Sequence, residues 1–118
     1  SGGPLVQHSL PALLTAYHKQ KITLEKIVEK ASHNPAILFD IKDRGFIREG
    51  YFADLVIIDL DKEQTIKKEG LIYKCGWSPF EGTVFKGVVE KTILNGKLAY
   101  DQGEILPISA AMALKFDR

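Results

Sequence analysis

Cysteine is nearly absent. Cys75 is the only one in 118 residues, so no disulfide can form within the chain, and a reducing, cytoplasmic setting is the natural expectation. Long apolar runs are missing too. Segments such as Leu55 to Ile58 fall far short of the roughly 20 residues a membrane helix needs, which predicts no transmembrane span. Excess charge of one sign is also lacking. The formal net charge is +1, too little to set up a field that attracts a phosphate backbone or an acidic membrane surface, so nucleic acid and membrane partners are not expected. Lys62, Lys67, Lys68 and Lys74 are interrupted by Glu63 and Glu69 and read as a solvated face. The opening SGGPLVQHS has neither an initiating methionine nor a signal-peptide layout, which leads us to expect a start within a longer protein.

What is present is an ordinary globular composition, 45% hydrophobic and 26% charged, enough for one modest domain. Leu10, Leu13, Leu14 and Tyr17 recur at helical spacing, with Pro11 tolerable in the first turn. A second helix should start with Thr23 as N-cap and Glu25 in its first turn. It should gather Leu24, Ile27, Val28 and Ala31 on one face and end near His33. Asn34 followed by Pro35 reads as the cap and first position of a third helix through Phe39.

From Gly45 onward the helical period gives way to glycine-bounded β segments. ADLVIID predicts a strand covered on both faces, bracketed by turn-forming Asp54 and Asp59. KTIL-NG-KLAY predicts a hairpin with a two-residue primed turn at Asn95 and Gly96. Its register should place Ile93 against Leu98 and Lys91 against Tyr100, with Val89, Ile93, Leu98 and Tyr100 inward. The intervening KCGWSPFEGTVFKG reads as an ordered, packed loop. The two amphipathic helices carry apolar stripes that a small sheet does not fully cover. We therefore expect them to dock on a larger body, or copies of the chain to pair through them.

Candidate chemistry is sparse. Zinc hydrolysis needs about three converging ligands, whereas His8, His18 and His33 are scattered and each reads as a surface or partly packed residue. Cys75 has no neighbouring histidine and reads as a buried, inert thiol. Asp40, Asp43, Asp54, Asp59 and Asp61 sit at helix ends and turns, where bonds to backbone N–H groups account for them, with a catalytic carboxylate pair as the alternative. Trp77 and Phe80 suit loop packing, with an aromatic binding platform as the alternative. No catalytic or metal-binding residue is assigned.

Three stretches resemble the end of the dihydroorotase branch of the amidohydrolase superfamily. They are SGGPLVQHSLPALL with ITLEKIVEKASHNPAILFDI, then GFIREGYFADLVIIDLD, then SPFEGTVFKGVVEKTILNGKLAYDQGEI. The second marks only the superfamily, and the third is more selective. The resemblance implies an α+β chain: helices from the end of a (β/α)8 barrel over residues 1–44, then the C-terminal part of a composite β-sandwich over 45–118. It implies a parent that binds two zinc ions and interconverts dihydroorotate and N-carbamoyl-aspartate in pyrimidine synthesis. The metal ligands would lie upstream of Ser1, so this segment alone should bind no cofactor and be inactive. Its partner would be the rest of the same polypeptide. Ser1 and Gly2 match a pair whose backbone contacts the cyclic amide substrate, although Leu5 departs from the glycine common in relatives. An allantoinase-like hydrolase, a non-catalytic homologue serving assembly, and a free-standing module built on the Trp77 loop are the competing readings.

Overall fold

The computed structural model describes residues 6–72, 75–107 and 115–116. A 3-10 turn, Val6–His8, leads into α1, Ser9–His18. Further helical segments are α2, Leu24–Val28, and α3, Asn34–Leu38, joined by a π-helical turn, Glu29–His33. The strands are β1, Leu55–Thr65; β2, Val84–Leu94; β3, Lys97–Asp101; and β4, Glu104–Ile105. They form one four-stranded sheet in the order β1-β2-β3-β4. Among the described residues no helix is long and apolar enough to cross a membrane. By contacts the chain forms two compact units, Ser1–Ile22 with Asp59–Val88 and Thr23–Ile58 with Val89–Arg118.

In the first unit α1 packs on the opening of β2. Leu14 is 1% exposed, and the close approach depends on Gly87: a Cβ there would lie 2.6 Å from the Cβ of Leu14. Gly87 also has φ 109°, a conformation that side-chain-bearing residues rarely adopt. Thr15 fastens the contact, its Oγ1 accepting from Lys86 N–H at 3.0 Å and donating to the Pro11 carbonyl at 2.9 Å. Pro11, Ile66, Phe85 and Val88 are also buried among the described residues of this unit. At its C-terminal end α1 closes with Gln20 at φ 59°. Gln20 N–H bonds Tyr17 O and Lys21 N–H bonds Ala16 O, so two terminal carbonyls find donors.

In the second unit the expected Thr23 cap is present, with Thr23 Oγ1 accepting from Lys26 N–H at 3.1 Å. The expected break at His33 and Asn34 is not. Asn34 has helical angles, φ −64° and ψ −42°, and its N–H bonds Glu29 O, so the helix continues as a π turn. Proline explains the widening. Pro35 has no N–H and its ring crowds the carbonyl four residues earlier, which the wider turn accommodates without ending the helix. Asp40, at φ 53°, closes α3 as Gln20 closes α1: Asp40 N–H bonds Ile37 O and Ile41 N–H bonds Ala36 O. Beyond it, Ile41 bridges Phe116 in antiparallel fashion.

The Asn95–Gly96 turn forms as expected, with φ 49° and 80°, and Ile93 faces Leu98. The rest of the expected register does not hold. A bulge leaves Ala99 unpaired, so Thr92 faces Tyr100 and Lys91 faces Asp101, which moves Tyr100 to the face of Thr92. Long-range bonds hold this arrangement: Ala99 O accepts from Leu106 N–H at 2.9 Å and Glu90 O from Gln102 N–H at 2.8 Å. The strand in ADLVIID also differs from expectation. β1 is an edge strand, and Val56 and Ile57 are 50% and 46% exposed, because the described residues include no second sheet to cover it.

Candidate functional site

Ser1 and Gly2, the expected substrate-contacting pair, lie outside the described residues. Gln7 and His8, further along the chain, are held by long-range contacts. Gln7 bridges a distant loop, its Nε2 donating to Gly70 O at 2.8 Å and its Oε1 accepting from Ile72 N–H at 2.9 Å. His8 is 6% exposed, more deeply packed than its solitary place in the sequence suggests. Its ring lies 6.4 Å from Phe80 and 6.2 Å from Phe85, and Phe80 meets Phe85 edge-on at 5.1 Å. Burial lowers the pKa of His8 below its ordinary value, because the imidazolium would lose hydration among these rings.

SPFEG supplies the floor of this cluster through its own turn. Ser78 is buried, its Oγ accepts from Phe80 N–H at 3.1 Å, and its carbonyl accepts from Glu81 N–H at 3.2 Å. Gly82 N–H then bonds Ile66 O, and Ile66 N–H bonds Thr83 O, tying the loop to the end of β1. Phe80 therefore serves packing. Trp77, by contrast, is 51% exposed. Cys75 is exposed rather than buried, since the loop turns it outward with its Sγ 3.7 Å from Trp77 O.

The other histidines have separate tasks. His18 Nε2 lies 2.5 Å from Leu60 O, and His33 stacks on Phe46 at 4.2 Å with the planes 10° apart. Among the described residues no group of three histidine, cysteine or acidic side chains converges as a metal site. The described residues of this chain do not by themselves fit a zinc centre. Of the aspartates, Asp59 behaves as expected, accepting from Asp61 and Lys62 N–H at 3.0 and 3.2 Å. Asp54 does not cap its own turn. It pairs with Arg44 and accepts from Asn95 N–H at 2.8 Å. Sequence reasoning missed Arg44, which is 8% exposed and also donates to Asn95 Oδ1 at 2.9 Å. Nothing in the surrounding sequence, KDRGF, marked it out.

An apolar face stands out in the second unit. Val28, Ile37, Leu38 and Phe39 are 46%, 63%, 75% and 51% exposed, and Lys30, Asn34 and Pro35 border a shallow groove of about 480 Å³ against the last three.

These observations describe helices with an exposed apolar end and a four-stranded sheet. The amidohydrolase family model matches residues 5–99, and the chain belongs to that family. It is 41% identical over 106 residues to the dihydroorotase of Pyrococcus furiosus, covering 90% of this chain and 25% of that protein. To an allantoinase of Desulfitobacterium hafniense it is 44% identical over 101 residues, 85% of this chain and 22% of the relative. Among solved structures it superposes on the L-hydantoinase of Arthrobacter aurescens with TM-score 0.83 and 32% identity, covering 91% of this chain and 24% of that one. The inactive dihydroorotase-like domain of a Chaetomium thermophilum CAD-like multifunctional protein matches with TM-score 0.67 and 30% identity, over 87% of this chain and 27% of that one. The chain thus spans about a quarter of the length of the relatives it matches.

Proposed function

We propose that this chain serves in a zinc-dependent cyclic amidohydrolase of the dihydroorotase type, interconverting dihydroorotate and N-carbamoyl-aspartate in pyrimidine synthesis. The single observation that carries the reading is the match to dihydroorotases over nine-tenths of the chain at a quarter of their length. In this reading the metals and the proton-transferring groups belong to polypeptide outside these 118 residues. Residues 1–44 complete the helical layer of the barrel, and residues 45–118 form the C-terminal part of the β-sandwich. The backbone of Ser1 and Gly2 is the part of this chain that would contact the substrate. The exposed Ile37, Leu38 and Phe39, and the half-exposed Val56 and Ile57 of β1, support a partner body covering both regions.

The test is to assay the complete reading frame on dihydroorotate and allantoin and to measure its metal content. Turnover of dihydroorotate with bound zinc, absent from the isolated 118 residues, is the expected result. Turnover of allantoin alone redirects the proposal to the allantoinase branch. A second reading, a non-catalytic homologue that serves assembly, is favoured by the likeness to the inactive domain. A complete protein with neither zinc nor turnover would select it.

A further inference from the structure

Asn95 and Gly96 occupy a two-residue turn that joins β2 to β3. Asparagine followed by glycine is chemically labile, because glycine's missing side chain leaves its backbone nitrogen room to reach the asparagine side-chain carbonyl. Here both reacting groups are engaged. Gly96 N–H donates to Ala53 O at 2.9 Å, and Asn95 Oδ1 accepts from Arg44 Nη1 at 2.9 Å. Asn95 N–H donates to Asp54 Oδ1 at 2.8 Å. Arg44 is itself fixed, 8% exposed, paired with Asp54, and with its guanidinium 4.2 Å above the Phe52 ring.

We propose that Asn95 is a deamidation site and that Arg44, Ala53 and Asp54 form a latch controlling its reactivity. In the reaction the Gly96 nitrogen, having lost its proton to a solvent base, attacks Asn95 Cγ. A carbon–nitrogen bond forms to give a succinimide, and the side-chain amide nitrogen departs as ammonia. Water then opens either carbonyl, leaving aspartate or isoaspartate, with no change of oxidation state. Attack requires Gly96 to release Ala53 O and the Asn95 amide to turn away from Arg44, so the reaction proceeds through an opened turn. The product would not fit the latch. An aspartate places a second carboxylate on Arg44 beside Asp54, and isoaspartate lengthens the backbone of a turn that accepts only two residues.

Incubating the full chain in mildly alkaline buffer and following ammonia loss by mass spectrometry of the peptide around residue 95 tests this. The folded protein should deamidate at least about tenfold more slowly than the same protein in guanidinium, as expected for a reaction gated by local opening. Asp54→Ala should raise the folded rate several-fold. If that variant does not fold, Asp54→Asn, which keeps an acceptor for Asn95 N–H, takes its place with the same expected direction. Hydrogen exchange needs no substitution, and the Gly96 amide should be protected. Equal rates in the folded and denatured protein, an unprotected Gly96 amide, or a folded aspartate-54 variant with unchanged rate would each overturn the proposal.

Discussion

Burial of His8 between Phe80 and Phe85 makes its protonation a folding question. Its pKa in the folded protein lies below the unfolded value of about 6.5, so above that pH both states are neutral and the residue adds no pH dependence. As the pH falls through 6.5, the unfolded state binds the proton first and stability declines. Denaturation midpoints measured from pH 7 to 5 should fall, and the fall should be smaller in His8→Leu. Leu14 offers a packing test. Truncation to alanine at this 1% exposed position should cost about 3 kcal/mol of unfolding free energy, read by denaturant titration. Gly87→Ala should also destabilise, by about 2 kcal/mol, through overlap with Leu14 and an unfavourable backbone. The sequence placed Leu14 on an apolar stripe of four positions but did not single it out, and it did not mark the burial of His8, which nothing nearby set apart from His18 or His33.

Helix limits and turns divide into those governed by nearby chemistry and those that were not. Thr23 could be read as a cap because its bond to Lys26 N–H spans three residues, and Thr23→Ala should cost about 1 kcal/mol in the same titration. Pro35 was read as a helix start, yet the preceding residues remain helical through a π turn. Pro35→Ala should let this turn tighten to the regular i→i+4 pattern, seen as an increase in far-ultraviolet helical circular dichroism. The Asn95–Gly96 turn was legible for the same reason as Thr23, since two positive φ angles are demanded and supplied within two residues. The bulge at Ala99 was not, because it depends on bonds from Leu106 and on the pairing of Asp101 with Lys91.

For the molecule as an entity, the exposed Ile37, Leu38 and Phe39 lead to a prediction about behaviour in solution. The 118 residues expressed alone should self-associate. Leu38→Glu should shift light scattering toward the monomer, and a non-associating monomer without the substitution would count against a docking role. Ordered motifs in the chain sufficed to name the family, and hydrophobic spacing sufficed for helices followed by strands, because both depend on residue types at short separations. Tertiary packing alone settled that β1 lies at an edge, that Cys75 faces outward, that Tyr100 changes face, and that Arg44 is buried on Asp54 and Asn95. Each of these depends on groups brought together from distant parts of the chain, whose meeting is decided by the total of burial and hydrogen bonding rather than by any local preference.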